Sequence, residues 1–107
     1  MMDERTFRST VDAIYAKVLK RLDAEDPDVI EGEMNAGVVR IRSGRGEVYV
    51  LNVQPPLQEV WYAAGDRAWH FQHTDAGWVD PRNGDELGAV LNLTISQAAN
   101  KTIAFVL

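Results

Sequence analysis

Cysteine is absent from the 107 residues of this chain, and other groups that mark catalytic sites are scarce. Without cysteine there can be no disulfide, no thiolate metal site and no cysteine nucleophile. His70 and His73 are the only histidines, and their spacing places them on opposite faces of a strand, which argues against a shared metal site. No G-x-x-x-x-G-K motif is present, so the glycine turns are not phosphate-binding loops.

Long apolar runs are also missing. No segment approaches the roughly 18–20 consecutive apolar residues that cross a bilayer. The first residues, MMDERTFRST, lack the apolar centre of a signal peptide. We therefore expect a cytoplasmic protein without a membrane partner, and the length suits a single domain over residues 1–107.

The chain has no excess of basic residues. Its net charge is −5, and residues 22–33, LDAEDPDVIEGE, contain six acids and no base. A nucleic-acid-binding protein needs a basic face, so no nucleic-acid partner is expected. The acidic segment suits cations or a basic protein surface, and the alternative is a solvated edge without a ligand.

Residues 4–24 are predicted to form a helix, because apolar residues recur there at spacings of three and four. Pro27 prevents the helix from continuing. The apolar stripe comprises Phe7, Val11, Ile14, Tyr15, Val18, Leu19 and Leu22.

About six short strands are predicted next, separated by glycine-containing turns. They cover residues 29–34, 38–42, 47–52, 59–64, 68–72 and 78–80. Ile30 and Met34 are expected to face inward and Glu31 and Glu33 outward. A second helix is predicted at about 85–98, followed by an apolar tail, 101–107, that forms a last strand or packs between the helices.

This order predicts an α+β fold: a two-layer sandwich with the two terminal helices packed on one face of an antiparallel sheet. The other face of the sheet then meets water. The stretch NVQPPLQEVW, residues 52–61, places Trp61 near Asn52, Gln54 and Gln58. An exposed Trp among amides suggests a protein interface. The alternative is a Trp61 buried against the helices.

Hard cations prefer several carboxylate oxygens, which makes the acidic segment a candidate metal site. It supplies Asp23, Glu25, Asp26, Asp28, Glu31 and Glu33, and Asp12 shares a helix face with Asp23. The EF-hand pattern is absent, so we expect open geometry and weak binding.

These motifs together resemble the frataxin family, and specifically its bacterial CyaY branch. The residues that carry the resemblance are N-x-Q-x-P with the following strand Trp in NVQPPLQEVW, EMNAGVV at 33–39, WHFQ at 69–72, GWVDPRNGDEL at 77–87 and the acidic end of the first helix. The resemblance covers almost the whole chain and implies the frataxin-like α+β sandwich.

The resemblance also implies a function. Frataxin-family proteins bind Fe²⁺ and Fe³⁺ through an acidic ridge on the first helix and strand, without an organic cofactor. They regulate iron–sulfur cluster assembly by contacting the cysteine desulfurase and its scaffold protein. The ridge corresponds here to Asp12, Asp23, Glu25, Asp26, Asp28, Glu31 and Glu33. The partner surface corresponds to Asn52, Gln54, Pro56 and Trp61.

Three alternatives stay open: ferroxidase or iron-storage activity, an iron-independent acidic docking module, and iron-dependent oligomers of an otherwise monomeric protein. The chain also departs from the family pattern. Lys20 lies near Asp23, where its ammonium competes with a cation and shifts the expected site toward residues 25–33. Glu59 stands where many relatives have Gln, and Arg40 and Arg42 make the open sheet face more basic.

Overall fold

The computed structural model describes residues 2–107, which form two helices packed on one face of a six-stranded antiparallel meander. The helices are α1 (Glu4–Asp23) and α2 (Leu87–Ala99). The strands, in sheet order, are β1 (Ile30–Asn35), β2 (Val38–Ser43), β3 (Val48–Gln54), β4 (Glu59–Ala64), β5 (Arg67–Thr74) and β6 (Gly77–Val79). The predicted fold class is confirmed. No helix within residues 2–107 is long and apolar enough to cross a membrane.

Helix α1 begins at a side-chain cap. Asp3 precedes the helix in extended conformation, and its carboxylate accepts the backbone N–H of Thr6 at 2.8 Å, which satisfies one unpaired donor of the first turn. The predicted stripe faces the sheet, although Leu19 is only half-buried. Gly32 lets the helix approach β1 closely, since a Cβ there would lie 2.7 Å from a methyl group of Leu22.

The sheet has one face under the helices and one open face. The helix-side face carries Val39, Ile41, Tyr49, Leu51, Val60, Tyr62, Trp69, Phe71 and Trp78, all buried. Met34 shares this side because it pairs with Val39. Met34 is nevertheless 54% exposed, since it lies at the end of the edge strand. Its expected direction was correct, but it is not part of the core.

Helix α2 begins at Leu87, slightly later than predicted, because Glu86 caps it. The Glu86 carboxylate accepts the backbone N–H groups of Gly88 and Ala89 at 2.7 and 3.1 Å. Thr94, a weak helix former, is buried and its hydroxyl bonds the carbonyl of Val90 and the Tyr62 hydroxyl.

The C-terminal tail forms no strand and packs along the helices, which decides between the two predicted alternatives. Ile103 and Phe105 are buried. The tail backbone bonds to α2 through Ser96 and Asn92, at 2.8 and 2.7 Å. Arg21 of α1 also donates to the carbonyl of Ala104 at 3.1 Å.

Candidate functional site

Three acids of the predicted ridge lie in the surface segment where α1 ends and the chain leads into β1. Asp23, Asp26 and Asp28 are exposed. The Asp26 carboxylate accepts the backbone N–H of Asp28 at 2.9 Å, which turns the chain toward β1. None of them lies within ion-pair distance of a basic side chain among residues 2–107. Their charge is therefore available to a cation or a basic partner.

Glu25 lies in the same segment but already forms two ion pairs within the protein. One carboxylate oxygen pairs with Lys101 and the other with Arg21, both at 2.7 Å. Lys101, followed by Arg21, holds the pKa of Glu25 below its usual range. Its side chain is 9% exposed, so a metal ion would have to displace an existing cation to reach it. The structure thus gives Glu25 an internal role that the sequence did not indicate.

Glu31 and Glu33 lie on the open sheet face, as predicted, but each faces an arginine. They are paired across β1 and β2 with Arg42 and Arg40. Only the Arg42–Glu31 pair reaches ion-pair distance, at 4.0 Å, and both side chains are more than half exposed. Such a pair contributes little stability. The two arginines nevertheless bring positive charge near both carboxylates, which opposes cation binding there.

Asp12 is exposed and shares a helix face with Asp23, but the helical rise places them about 16 Å apart along the axis. One ion cannot bridge them. Among residues 2–107, no group of three or more His, Asp or Glu side chains is arranged to hold one metal ion. Lys20 also forms no ion pair within the described residues. The predicted acids therefore form an open series and not a cage.

Trp61 lies half-buried on the open face of the sheet, which excludes the alternative of burial against the helices. Its role in an interface stays a prediction. Its ring stacks on the imidazole of His70, with centroids 4.0 Å apart and planes inclined by 8°. Its indole N–H donates to Glu59 at 2.9 Å. Hydrogen bonds from Gln72 and then Trp61 hold the pKa of Glu59 below its usual range.

Asn52 and Gln54 lie beside this aromatic pair. Asn52 faces Trp61 across β3 and β4, and Gln54 faces Glu59. Pro56 is exposed in a short 3-10 helix, Pro55–Leu57. Gln58, which the sequence suggested as a neighbour of Trp61, instead bonds the backbone of Met2.

His70 was missed by the sequence analysis as a partner of Trp61, since only the strand register brings the two residues opposite each other. His73 lies on the other face, edge-on to Trp78. The histidines therefore do not form a chelating pair, as expected.

The sequence analysis also missed a buried aspartate that binds the backbone of His70. Asp80 is fully buried, and its carboxylate accepts the backbone N–H of His70 at 3.0 Å, beyond the end of β6. Arg82 contacts the same carboxylate at 2.8 Å and holds the pKa of Asp80 well below its usual range. The sequence signal was an aspartate directly after an apolar strand, in WVDPRN.

Comparisons with known proteins agree with this fold. A family model described as a frataxin-like domain matches residues 1–101. The iron-sulfur cluster assembly protein CyaY of Burkholderia mallei is 35% identical over 106 residues, which are 97% of this chain and 98% of that protein. CyaY of Paraburkholderia phymatum is 33% identical over 102 residues, or 95% and 96% of the two chains.

Solved structures give the same result. Frataxin from Psychromonas ingrahamii superposes with a TM-score of 0.89 at 24% identity, over 99% of this chain and 100% of that chain. Trimeric frataxin from Saccharomyces cerevisiae, complexed with ferrous iron, superposes with a TM-score of 0.71 at 27% identity, over 94% and 89%. The chain therefore belongs to the frataxin family and is of the CyaY type.

Proposed function

We propose that this protein is an iron-binding adaptor that regulates iron–sulfur cluster assembly. The observation that carries the proposal is that Asp23, Asp26 and Asp28 are exposed and form no ion pair among residues 2–107. The relatives of the chain are named for the same pathway. A yeast relative was solved with ferrous iron, which supports iron as the cargo. Carboxylate oxygens suit Fe²⁺ and Fe³⁺ in such an open, water-accessible arrangement, and the binding is expected to be weak.

The charges around the acids predict where iron binds. Glu25 and Glu31 form ion pairs, and Glu33 lies opposite Arg40 in the strand register. Asp23, Asp26 and Asp28 form no ion pair with a basic side chain among residues 2–107. The site is therefore narrower than the ridge that the sequence suggested. We expect the carboxylates at the end of α1 to bind iron first, and Asp12 to act independently of them.

An anaerobic Fe²⁺ titration of ¹⁵N-labelled protein tests this. Paramagnetic broadening should begin at residues 23–28 and leave the amide signal of Trp61 sharp. Asp23→Asn with Asp26→Asn should remove the effect, whereas the matched control Asp66→Asn with Asp75→Asn, in exposed turns, should not. Uniform broadening, or none at millimolar iron, would refute an iron site at the end of α1.

We further propose that the acidic segment docks on a basic patch of the cysteine desulfurase and that the Trp61 face contacts the scaffold protein. Long-range charge attraction steers such encounters and weakens with salt. Reversal of Asp23 and Asp26 to Lys should abolish desulfurase binding, whereas Trp61→Ala should weaken scaffold binding selectively. Equal losses in both assays would contradict two separate surfaces.

An iron-independent docking module is the second candidate, and the dispersed geometry of the acids favours it. In that case desulfurase binding would depend on the same aspartates but not on added Fe²⁺ or a chelator. Ferroxidase activity has no comparable support, because the relatives are named for cluster assembly and the described acids are dispersed. Oxygen uptake on Fe²⁺ addition, compared with a protein-free blank, tests that activity directly.

A further inference from the structure

The side chain of Trp61 is held on two sides although it is half exposed to water. The imidazole of His70 lies flat against the indole, with centroids 4.0 Å apart and planes inclined by 8°. The indole N–H donates to Glu59 Oε1 at 2.9 Å, two residues earlier on the same strand. The ring face and the ring nitrogen are therefore both engaged before any partner is present.

The two residues that hold Trp61 are themselves held by other parts of the fold, Glu59 by β5 and the backbone of His70 by the segment after β6. The second carboxylate oxygen of Glu59 accepts the side-chain amide of Gln72 on β5 at 2.8 Å. The backbone N–H of His70 is bound by the buried Asp80. Each support is thus fixed from a different direction, and a change in χ angle of Trp61 would break contacts on both sides.

We propose that His70 and Glu59 are positioning residues, which preset the Trp61 indole for recognition of a partner protein. This inference rests on the proposed role of the open sheet face. A side chain that is already immobile loses little conformational entropy on binding, so its apolar area contributes more fully to affinity. The two residues act through Trp61 and need not touch the partner.

The chemistry of the two contacts defines which replacements should preserve the role. Stacking requires a flat aromatic ring, so His70→Phe retains it and His70→Ala removes it. The indole N–H requires an acceptor oxygen, so Glu59→Gln can retain the bond and Glu59→Ala cannot. A merely structural role of His70 or Glu59 in the strand would not separate these pairs of variants.

The first test needs no partner. The three tryptophans give three indole N–H signals in a ¹⁵N spectrum. His70→Ala should move the Trp61 signal and broaden it, and His70→Phe should keep it sharp. His73→Ala is the matched control on the same strand, because His73 lies edge-on to Trp78 with centroids 5.2 Å apart. It should move the Trp78 signal and leave Trp61 unchanged.

The second test measures affinity for the scaffold protein. His70→Ala and Glu59→Ala should each weaken binding about three- to tenfold, the cost of immobilising one large side chain at the interface. His70→Phe and Glu59→Gln should restore it to within about twofold. In a Trp61→Ala background, His70→Ala should have no further effect, since the residue acts only through the indole.

The outcomes separate this inference from the proposed function. An unchanged Trp61 indole signal in His70→Ala overturns the positioning role, whatever the scaffold does. An additional loss from His70→Ala in the Trp61→Ala background overturns it as well, because His70 would then contact the partner itself. A scaffold protein that fails to bind the unmodified chain defeats the proposed function, while the indole signals still decide whether Trp61 is preset.

Discussion

Removal of the Asp80 carboxylate should be among the most destabilising single changes at the end of the sheet. Asp80 is 0% exposed and accepts backbone N–H groups from His70 at 3.0 Å and from Arg82 at 2.9 Å. It also accepts the Arg82 guanidinium at 2.8 Å. Asp80→Ala leaves all of these donors without their acceptor at once.

The magnitude follows from these contacts. Truncation of one partner in a buried charge pair costs about 3–5 kcal/mol, and one hydrogen bond to a charged group contributes about 1.5–3 kcal/mol. The Arg82 side chain is 56% exposed, so water recovers part of its solvation. We therefore expect Asp80→Ala to lower the free energy of unfolding by about 2–4 kcal/mol and Asp80→Asn by about half as much.

Urea unfolding followed by tryptophan fluorescence measures this difference, and the midpoint should fall by about 1–2 M for Asp80→Ala. Asp75→Asn is the matched control, since Asp75 is exposed in the β5–β6 turn. The reasoning is refuted if Asp80→Ala and Asp75→Asn unfold at the same urea concentration.

The pH dependence has a definite sign. Arg82 lowers the pKa of Asp80 in the folded state, so below pH 4 the unfolded chain binds a proton that the folded chain does not. This stabilisation is complete above the ordinary carboxyl pKa and is lost as the pH falls toward the lowered one. The difference in free energy of unfolding between the unmodified chain and Asp80→Asn should therefore be constant from pH 5 to 7 and should decrease below about pH 4.

Three further changes test the packing around the candidate site. Gly44→Ala should destabilise by about 2 kcal/mol or more in urea unfolding, because the added Cβ would lie 2.1 Å from the carbonyl oxygen of Asp28. Ala36→Gly should instead stabilise by about 0.5–1 kcal/mol, because Ala36 has φ +53° in the β1–β2 turn; a loss of stability would contradict this. Lys101→Gln should speed amide hydrogen exchange at Ile103 by releasing Glu25, and an unchanged rate would show that the ion pair does not secure the tail.

Local patterns were sufficient to predict the elements. The spacing of apolar residues between Phe7 and Leu22 specifies α1, because residues three and four apart lie on one helix face. Alternation specifies the strands, but it left open whether Trp61 lies on the open face or against the helices, which the structure decides in favour of the open face. The conformation of the tail could not be predicted in this way, because buried apolar residues such as Ile103 and Phe105 occur both in strands and in irregular segments.

The candidate site depends on contacts between residues far apart in sequence. The sequence determined that acids cluster in residues 22–33 and that Trp61 follows three amide residues and two prolines. Only the tertiary structure decided which acids have a basic side chain beside them: Lys101 reaches Glu25 across the ends of both helices, and strand register sets Arg42 opposite Glu31. It also placed His70 against Trp61, because register pairs β4 with β5. Residue type and spacing fix local conformation, but ion pairs and ring stacks form where the folded chain brings distant side chains within a few ångströms.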